Sequence, residues 1–244
     1  PSSESELSEY MNVFSEDYKD IVGKEIEVVV SDSPNRGDFY VELNNNRPEL
    51  RTEGYYMEIG DFVKVEANEA EAVFLSTRTI LQILKQNGTT IPKGITRDYP
   101  LSDIRGFMLD VGRKPTSLDF LYDIMKLMSW YKMNDFQVHL NDNYIWVTEY
   151  GAEAIEKAYA GFRLESNDIG ANGVPLTSTD ISYTKAEFGE FIDKSKLYGV
   201  NIVPEIESPA HALSFMKAHP EFAYGKGDHK GVGENAAMLD VTNP

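Results

Sequence analysis

Short runs in which apolar and polar residues alternate make up most of the first part of the chain. They predict four short β-strands, at EIEVVV (26–31), DFYVEL (38–43), GYYMEIG (54–60) and DFVKVEA (61–67). The runs are interrupted by DSPNRG and NNNRPELRTE, which are rich in turn-forming and polar residues. Residues 1–25 open with SSESELSEY, whose Ser and Glu residues suit either the start of a helix or a frayed terminus.

After residue 68 the apolar spacing becomes that of a helix. The segment EAEAVFLSTRTILQILKQNG (69–88) has apolar side chains on one helical face, at Ala72, Val73, Leu75, Ile80, Leu81 and Leu84. With Gly88 just past the last of them, the pattern predicts an amphipathic helix that ends at glycine. Strands followed by one covering helix predict a small α+β domain over residues 1–104, with its boundary in PKGITRDYPLSDI (92–104).

From Arg105 onward, predicted strands and helices alternate. The strands are predicted at GFMLDV (106–111), FQVHL (136–140) and NIVPEI (201–206), and the helices at SLDFLYDIMKLMSWYKM (117–133) and TKAEFGEFIDKSKLYG (184–199). Alternation of this kind indicates parallel βαβ units, which we assign to a second domain over residues 105–244.

The stretch 144–183 is much longer than the ~2 to 6 residues that usually connect a strand to a helix in such units. Long loops at the end of a strand are commonly functional. We therefore expect this insertion to help form a site.

The net charge limits the kinds of ligand that the protein is expected to bind. Asp and Glu number 40 and Lys and Arg number 23, so the formal net charge is −17. A field of that sign repels phosphate backbones and anionic lipids, which argues against nucleic acid and membrane surfaces and favours a neutral ligand. The sequence contains neither an apolar run of about 18 residues nor a signal-peptide pattern, so no membrane span is predicted.

The chain has no cysteine, which excludes disulfides, thiolate metal sites and cysteine nucleophiles. Absence of cysteine together with strong acidity fits an extracellular or cell-surface bacterial protein, although a cytosolic one would not contradict it.

Polar side chains stand at the ends of all three predicted parallel strands. They are Asp110 and Arg113 after the first strand, His139, Asn141, Asp142 and Asn143 after the second, and Glu205, Glu207 and His211 after the third. Parallel α/β folds bind ligands at the carboxyl ends of their strands. Since packing alone does not require this pattern, these residues are candidates for a site.

Each candidate has a structural alternative. Arg113 offers a planar fork of donors that suits two neighbouring hydroxyls, but it could equally form an ion pair with Asp110. Asp142 and His211 could form a pair in which the carboxylate fixes the imidazole tautomer, although a lone His is more often structural. Glu205 and Glu207 alternate along a strand, so only one of them is expected to face a site.

Several familiar motifs are absent. The sequence has no GxGxxG, GxxxxGK[ST], HExxH or GxSxG, so nucleotide binding, zinc-protease and serine-hydrolase functions have no support. The four histidines lack metal-ligand spacing, so we expect no metal.

Three segments, in order, resemble the motifs of one enzyme family. RGFMLDVGRK (105–114), KMNDFQVHLNDN (132–143) and VPEIESPAH (203–211) are similar to the patterns RGxxLDxxR, KxNxxHxHLxDD and PExDxPGH of glycoside hydrolase family 20, the β-N-acetylhexosaminidases. The segments TRTILQIL and IPKGITRDYP resemble the accessory domain of that family. The resemblance covers the chain from about residue 25 onward.

The resemblance implies an α+β accessory domain followed by the first part of a (β/α)₈ TIM barrel. Its pocket would bind a terminal N-acetylhexosamine of a glycan, and no cofactor is implied. In this family the substrate's own 2-acetamido oxygen attacks C1, assisted by an Asp-Glu pair in which the Asp orients the acetamide and the Glu is the general acid.

Site residues carry over by position in the motifs. Arg113 matches the family arginine that holds the 3- and 4-hydroxyls of the sugar. Asp142 and His211 match a pair that supports the general acid, and Glu207 stands where the family usually has Asp. Two departures are Asn143, in place of the second Asp, and Ala210, in place of the Gly of PGH.

The family's Asp-Glu pair has no counterpart, because the sequence contains no Asp-Glu dipeptide. The chain ends at MLDVTNP (238–244), which resembles the segment before the family's fourth strand. Residues 105–244 are also too few for a closed barrel, which takes ~250. We therefore expect the first three or so βα units, inactive alone, that need the remainder of the barrel or an oligomeric partner.

Three functions stay open from the sequence. The first is removal of terminal β-linked N-acetylhexosamine. The second is release of a disaccharide by a lacto-N-biosidase, for which the insertion at 144–183 could lengthen the pocket. The third is carbohydrate binding without catalysis, by a protein that keeps the arginine and has lost the acid.

Overall fold

The computed structural model describes residues 3–44, 46–143, 161–224 and 238–242. Contacts divide the chain into two compact units. The first comprises Pro1–Arg105, Met125–Asn134 and Lys194–Val200, and the second comprises Gly106–Ile124, Asp135–Asp193 and Asn201–Pro244. The domain ranges 1–104 and 105–244 stay a prediction. Among the described helices, none is both long enough and apolar enough to cross a membrane.

The first unit is a four-stranded sheet with two long helices. Its elements are α1 (Ser3–Val22), β1 (Phe39–Leu43), β2 (Tyr55–Ile59), β3 (Val63–Ala67), α2 (Ala70–Asn87) and β4 (Gly94–Asp98). The strand order is β1-β3-β2-β4. Strand β1 runs parallel to β3, and β2 is antiparallel to both β3 and β4. The predicted strands at 38–43, 54–60 and 61–67 and the predicted helix at 69–88 are confirmed.

Alternation along the strands builds the core of this unit. Tyr55 and Met57 of β2 and Val65 of β3 are fully buried, while the side chains between them point to the other face. The helices add aromatic rings to this face. Tyr10 of α1 lies 5.3 Å from Phe74 of α2, measured between ring centroids.

Near the edges of this unit one predicted strand was wrong and one observed strand was not predicted. EIEVVV (26–31) is irregular, and Val30 is 78% exposed. Apolar β-formers make a strand only where a neighbouring strand completes the ladder, and no described strand pairs with this segment. Conversely, β4 lies inside the segment assigned to the boundary, because its backbone pairs with β2 from Tyr55↔Asp98 to Ile59↔Gly94.

The second unit contains a parallel three-stranded sheet. From Gly106 onward the chain order is β5 (Gly106–Asp110), α3 (Leu118–Trp130), β6 (Asp135–His139), α4 (Lys185–Leu197), β7 (Asn201–Glu205) and a short α5 (Leu213–Ala218). The last residues of α3, from Met125, and of α4, from Lys194, are counted with the first unit. Strand β6 lies between β5 and β7 and is parallel to both. The predicted βαβ units are therefore confirmed, whereas α5 was not predicted. Of the insertion 144–183, residues 144–160 lie outside the described part of the chain.

Gly54 precedes β2 at a point where the backbone leaves no room for a side chain. A Cβ atom there would lie 1.9 Å from the carbonyl oxygen of Leu50. We expect Gly54→Ala to lower the free energy of unfolding by about 1 to 3 kcal/mol, because the backbone must move to relieve the clash. Urea denaturation measures this, with Gly94→Ala as control because nothing lies within 4 Å of the corresponding Cβ. Equal effects of the two substitutions would contradict the prediction.

Candidate active site

The three parallel strands end in a row of ionisable side chains. Asp110 of β5 is the register partner of His139 of β6, and His139 is the partner of Glu205 of β7. Side chains at matched register lie on the same face of a sheet. The expectation that polar residues converge at this edge is therefore confirmed for the described strands.

His139 stands at the centre of this row and is buried. Its Nδ1 lies 2.8 Å from Oε2 of Glu205, and its Nε2 lies 2.6 Å from Oδ2 of Asp142. Ionised carboxylates only accept hydrogen bonds, so both ring nitrogens must carry a proton. Burial disfavours the charged ring, but the hydrogen bonds to Glu205 and Asp142 outweigh it and raise the pKa of His139.

Asp142 is 2% exposed and collects several donors. Its Oδ1 lies 2.5 Å from Nδ1 of His211, 2.7 Å from Nη2 of Arg113 and 2.6 Å from the backbone N of Asn143. Burial alone would raise the pKa of this carboxyl, but the bonds from His211, Asn143 and His139, with the charge of Arg113, lower it. Asp142 is therefore a buried anion.

His211 is paired with Asp142, as the sequence suggested. Because its Nδ1 faces the carboxylate, the proton of a neutral ring belongs on Nδ1, which leaves Nε2 as the acceptor on this half-buried side chain. The backbone of His211 has φ 55°, in the left-handed region that residues other than glycine seldom adopt. Asn141 helps to hold it there, since its Nδ2 donates to the carbonyls of His211 at 3.2 Å and Glu207 at 3.1 Å.

Arg113 takes part in both arrangements that the sequence left open. Its Nη1 donates to Oδ2 of Asp110 at 2.9 Å, and its Nη2 to Oδ1 of Asp142 at 2.7 Å. Nη2 also lies 3.3 Å from Nδ1 of His211. The two bonds to carboxylates use two of its five N–H groups. The side chain remains 35% exposed. The guanidinium is therefore anchored by carboxylates and still has donors for a ligand.

Glu205 and Glu207 do not divide as their alternation predicted. Oε2 of Glu205 accepts from Gln137 at 2.6 Å and from His139, whereas Oε2 of Glu207 lies 3.6 Å from Nε2 of the same histidine. Both carboxylates therefore face His139. The alternation does not extend to Glu207 because β7 ends at Glu205.

The same side chains form three overlapping groups whose ligand atoms lie within 4.8 Å of one another, namely Asp110, His139 and Asp142; His139, Glu205 and Glu207; and Asp142, Glu207 and His211. Within them, His139 bonds carboxylates through both nitrogens, and Asp142 is bound to Arg113. In this arrangement the protons on His139 and the guanidinium of Arg113 thus balance the negative charge of the carboxylates. The absence of a metal stays a prediction.

Comparison with protein-family models assigns both parts of the chain. The model "Glycosyl hydrolase family 20, catalytic domain" matches residues 103–243, and "Glycosyl hydrolase family 20, domain 2" matches residues 2–99. The chain belongs to glycoside hydrolase family 20. The resemblance inferred from the three motifs is confirmed.

Family 20 relatives carry more than one enzyme name. A beta-hexosaminidase of Porphyromonas gingivalis is 26% identical over 210 residues, which cover 81% of this chain and 26% of that protein. A lacto-N-biosidase of Bifidobacterium bifidum is 24% identical over 201 residues, covering 82% of this chain and 16% of that protein. The chain thus spans well under half the length of the curated relatives it matches.

Solved family 20 structures share the fold. A mutant beta-hexosaminidase of Streptomyces plicatus, in complex with the product GlcNAc, aligns with a TM-score of 0.74 and 20% identity, over 96% of this chain and 46% of that one. The likeness supports an accessory domain followed by part of a TIM barrel.

In this family 20 chain, the four candidates taken from the motifs lie close together. Arg113, Asp142 and His211 are in direct contact, and Oε1 of Glu207 lies 3.9 Å from Nε2 of His211. His139 and Asn141 are further members of the cluster whose contacts the sequence did not predict. The position of His139 three residues before Asp142 was the available signal.

The cluster predicts how stability depends on pH. His139 has a raised pKa, so its contribution is complete at low pH and is lost as the pH rises through the folded-state pKa. Asp142 and Glu205 have lowered pKa values, so theirs is lost as the pH falls through those values. We expect the thermal midpoint to peak between these limits. His139→Gln should lower the thermal midpoint most at pH values below the folded-state pKa of His139. A difference between wild type and variant that does not change with pH would contradict this.

Proposed function

We propose that the full-length protein that contains this chain removes terminal β-linked N-acetylhexosamine from glycans by substrate-assisted, retaining catalysis. The observation that carries the proposal is the contact of Arg113, Asp142 and His211 at the carboxyl ends of parallel strands, within the part that matches the family 20 catalytic domain. In this reaction the 2-acetamido oxygen of the substrate attacks C1.

Each residue has a role in the proposal. Arg113 holds sugar hydroxyls through N–H groups that its partners leave unused. Glu207, which lies near His139 and His211, is a further acceptor. Asp142 fixes the tautomer of His211, whose Nε2 then supports the carboxyl group of the general acid. The acid and the acetamide-orienting residue belong to the rest of the protein, since the chain contains no Asp-Glu dipeptide.

We also propose that the three-stranded sheet is part of a larger barrel. Phe107 and Met108 of β5 and Val203 of β7 are exposed, although apolar residues on barrel strands are normally buried. The remainder of the barrel, from the same protein or from an oligomeric partner, would cover them. An extracellular or cell-surface location stays a prediction.

A lacto-N-biosidase is the second candidate. It is favoured by the Bifidobacterium bifidum relative and by the long insertion after β6, which could lengthen the pocket for a disaccharide. The two activities differ in what leaves the substrate, a monosaccharide or a disaccharide.

Substrate profiling of the full-length protein tests the proposal. We expect release of 4-nitrophenol from the N-acetyl-β-glucosaminide or N-acetyl-β-galactosaminide, and none from the matched β-glucoside, which lacks the acetamide nucleophile. Hydrolysis of the aryl lacto-N-bioside alone would favour the second candidate. Binding of N-acetylglucosamine without hydrolysis of any substrate would indicate a non-catalytic carbohydrate-binding protein.

A further inference from the structure

Arg163 is the largest fully buried side chain in the described residues, with 0% exposure. It lies in 161–183, the described part of the insertion after β6. Burying a guanidinium is costly unless hydrogen bonds and charge compensate for the lost water. The groups that bond the buried guanidinium of Arg163 therefore show which part of the chain the insertion is attached to.

The guanidinium connects the insertion to the loop that carries Arg113. Nε of Arg163 donates to the carbonyl of Val111 at 2.6 Å, and Nη2 donates to the carbonyl of Gly112 at 3.2 Å. On the other side, Nη1 donates to Oδ1 of Asp180 at 2.8 Å and to the carbonyl of Ile181 at 2.7 Å. The two residues immediately before Arg113 are thus held by one side chain.

The surrounding backbone is shaped to fit this arrangement. A Cβ at Gly161 would lie 2.5 Å from Cζ of Arg163, so only glycine leaves room for the guanidinium there. A Cβ at Gly112 would lie 2.7 Å from the carbonyl carbon of Asn141, so the loop before Arg113 also runs directly against the end of β6. The path of residues 111–112 is therefore fixed from two sides.

We propose that Arg163 is a positioning residue for sugar binding. By holding the carbonyls of Val111 and Gly112, it fixes the backbone from which Arg113 reaches Asp110 and Asp142. This inference rests on the proposed function, in which Arg113 holds the sugar. A lysine cannot replace Arg163, because a single ammonium lacks the planar fork that reaches both the loop and Asp180.

The kinetic test uses the full-length enzyme, an aryl N-acetyl-β-glucosaminide, and Arg163→Lys made alone and together with Arg113→Lys. Alone, it should lower kcat/KM about 10- to 100-fold, the effect of a displaced binding group. In the Arg113→Lys background it should cause less than about twofold further loss, because the group it positions is already impaired. An equal loss in both backgrounds would overturn the proposal.

Thr177→Val is the matched control. Thr177 also bonds within the insertion, to the backbone of Leu164 and Ser166, and these bonds do not involve residues 111–113. It should lower the thermal midpoint with kcat/KM unchanged. If Arg163→Lys does not fold, Asp180→Asn replaces it, with a smaller kinetic loss in the same direction expected and an unchanged kcat/KM counting against the proposal.

Hydrogen exchange gives a readout that does not depend on activity. Amide exchange at residues 111–113 should become faster in Arg163→Lys and stay unchanged in Thr177→Val. Unchanged exchange there would overturn the role of Arg163. If the full-length wild-type protein hydrolyses no N-acetylhexosaminide, the proposed function fails, and faster exchange still supports the hold of Arg163 on the Arg113 loop.

Discussion

The 244-residue chain alone is expected to hydrolyse no aryl N-acetylglucosaminide, whereas the proposed function predicts that the full-length protein hydrolyses it. In the proposed mechanism an Asp-Glu pair supplies the general acid and the group that orients the acetamide, and the chain carries Arg113, Asp142 and His211 but no Asp-Glu dipeptide. General acid catalysis contributes ~10² to 10⁴ and a positioned polar group ~10² to 10³, so the two together account for about 10⁴ to 10⁷ in rate. Release of 4-nitrophenol by the purified chain measures the difference.

The comparison is informative only if the chain is folded. Circular dichroism and the urea transition of the same preparation provide that control. A binding titration with N-acetylglucosamine shows whether the site residues present in this chain bind the sugar. Hydrolysis by the folded chain well above the uncatalysed rate would contradict the assignment of the acid to the rest of the protein.

The local pattern of apolar and polar residues was sufficient to predict most of the strands and helices. The strands at 54–60 and 61–67 alternate because one face of the sheet is buried, and α2 repeats with helical period for the same reason. The errors fall at sheet edges. GITRD forms β4 because it pairs with β2, whereas EIEVVV (26–31) has no described partner strand. Whether a segment finds a partner strand cannot be predicted from its own residues.

The site was predictable where motifs carried it and not where contacts are long-range. Arg113, Asp142, Glu207 and His211 stand in motifs at strand ends, and the structure brings them together. Arg163 has no such signal, because its contacts with Val111 and Gly112 lie 52 and 51 residues away in sequence. A buried arginine cannot be distinguished from an exposed one until those carbonyls are in place.

Arg113→Lys in the full-length enzyme is expected to lower kcat/KM about 10-fold to 10⁴-fold. Lysine keeps the charge but loses the planar fork that binds Asp110 and Asp142 and that, in the proposed function, also holds two sugar hydroxyls. Each charge-assisted hydrogen bond contributes ~1.5 to 3 kcal/mol, so losing one or two gives this range. Steady-state kinetics and the thermal midpoint are measured on the same protein.

The ion pairs of Arg113 with Asp110 and Asp142 make the stability measurement decisive, because a purely structural arginine would show a lowered midpoint and nearly intact kinetics. Arg105→Lys supplies the comparison, since Arg105 also pairs with a carboxylate, Glu53 at 2.9 Å, and bonds backbone carbonyls, but stands outside the cluster. A kinetic loss confined to Arg113→Lys assigns its unused N–H groups to the sugar. If both variants lose stability to the same extent and neither loses activity, the role of Arg113 is structural only.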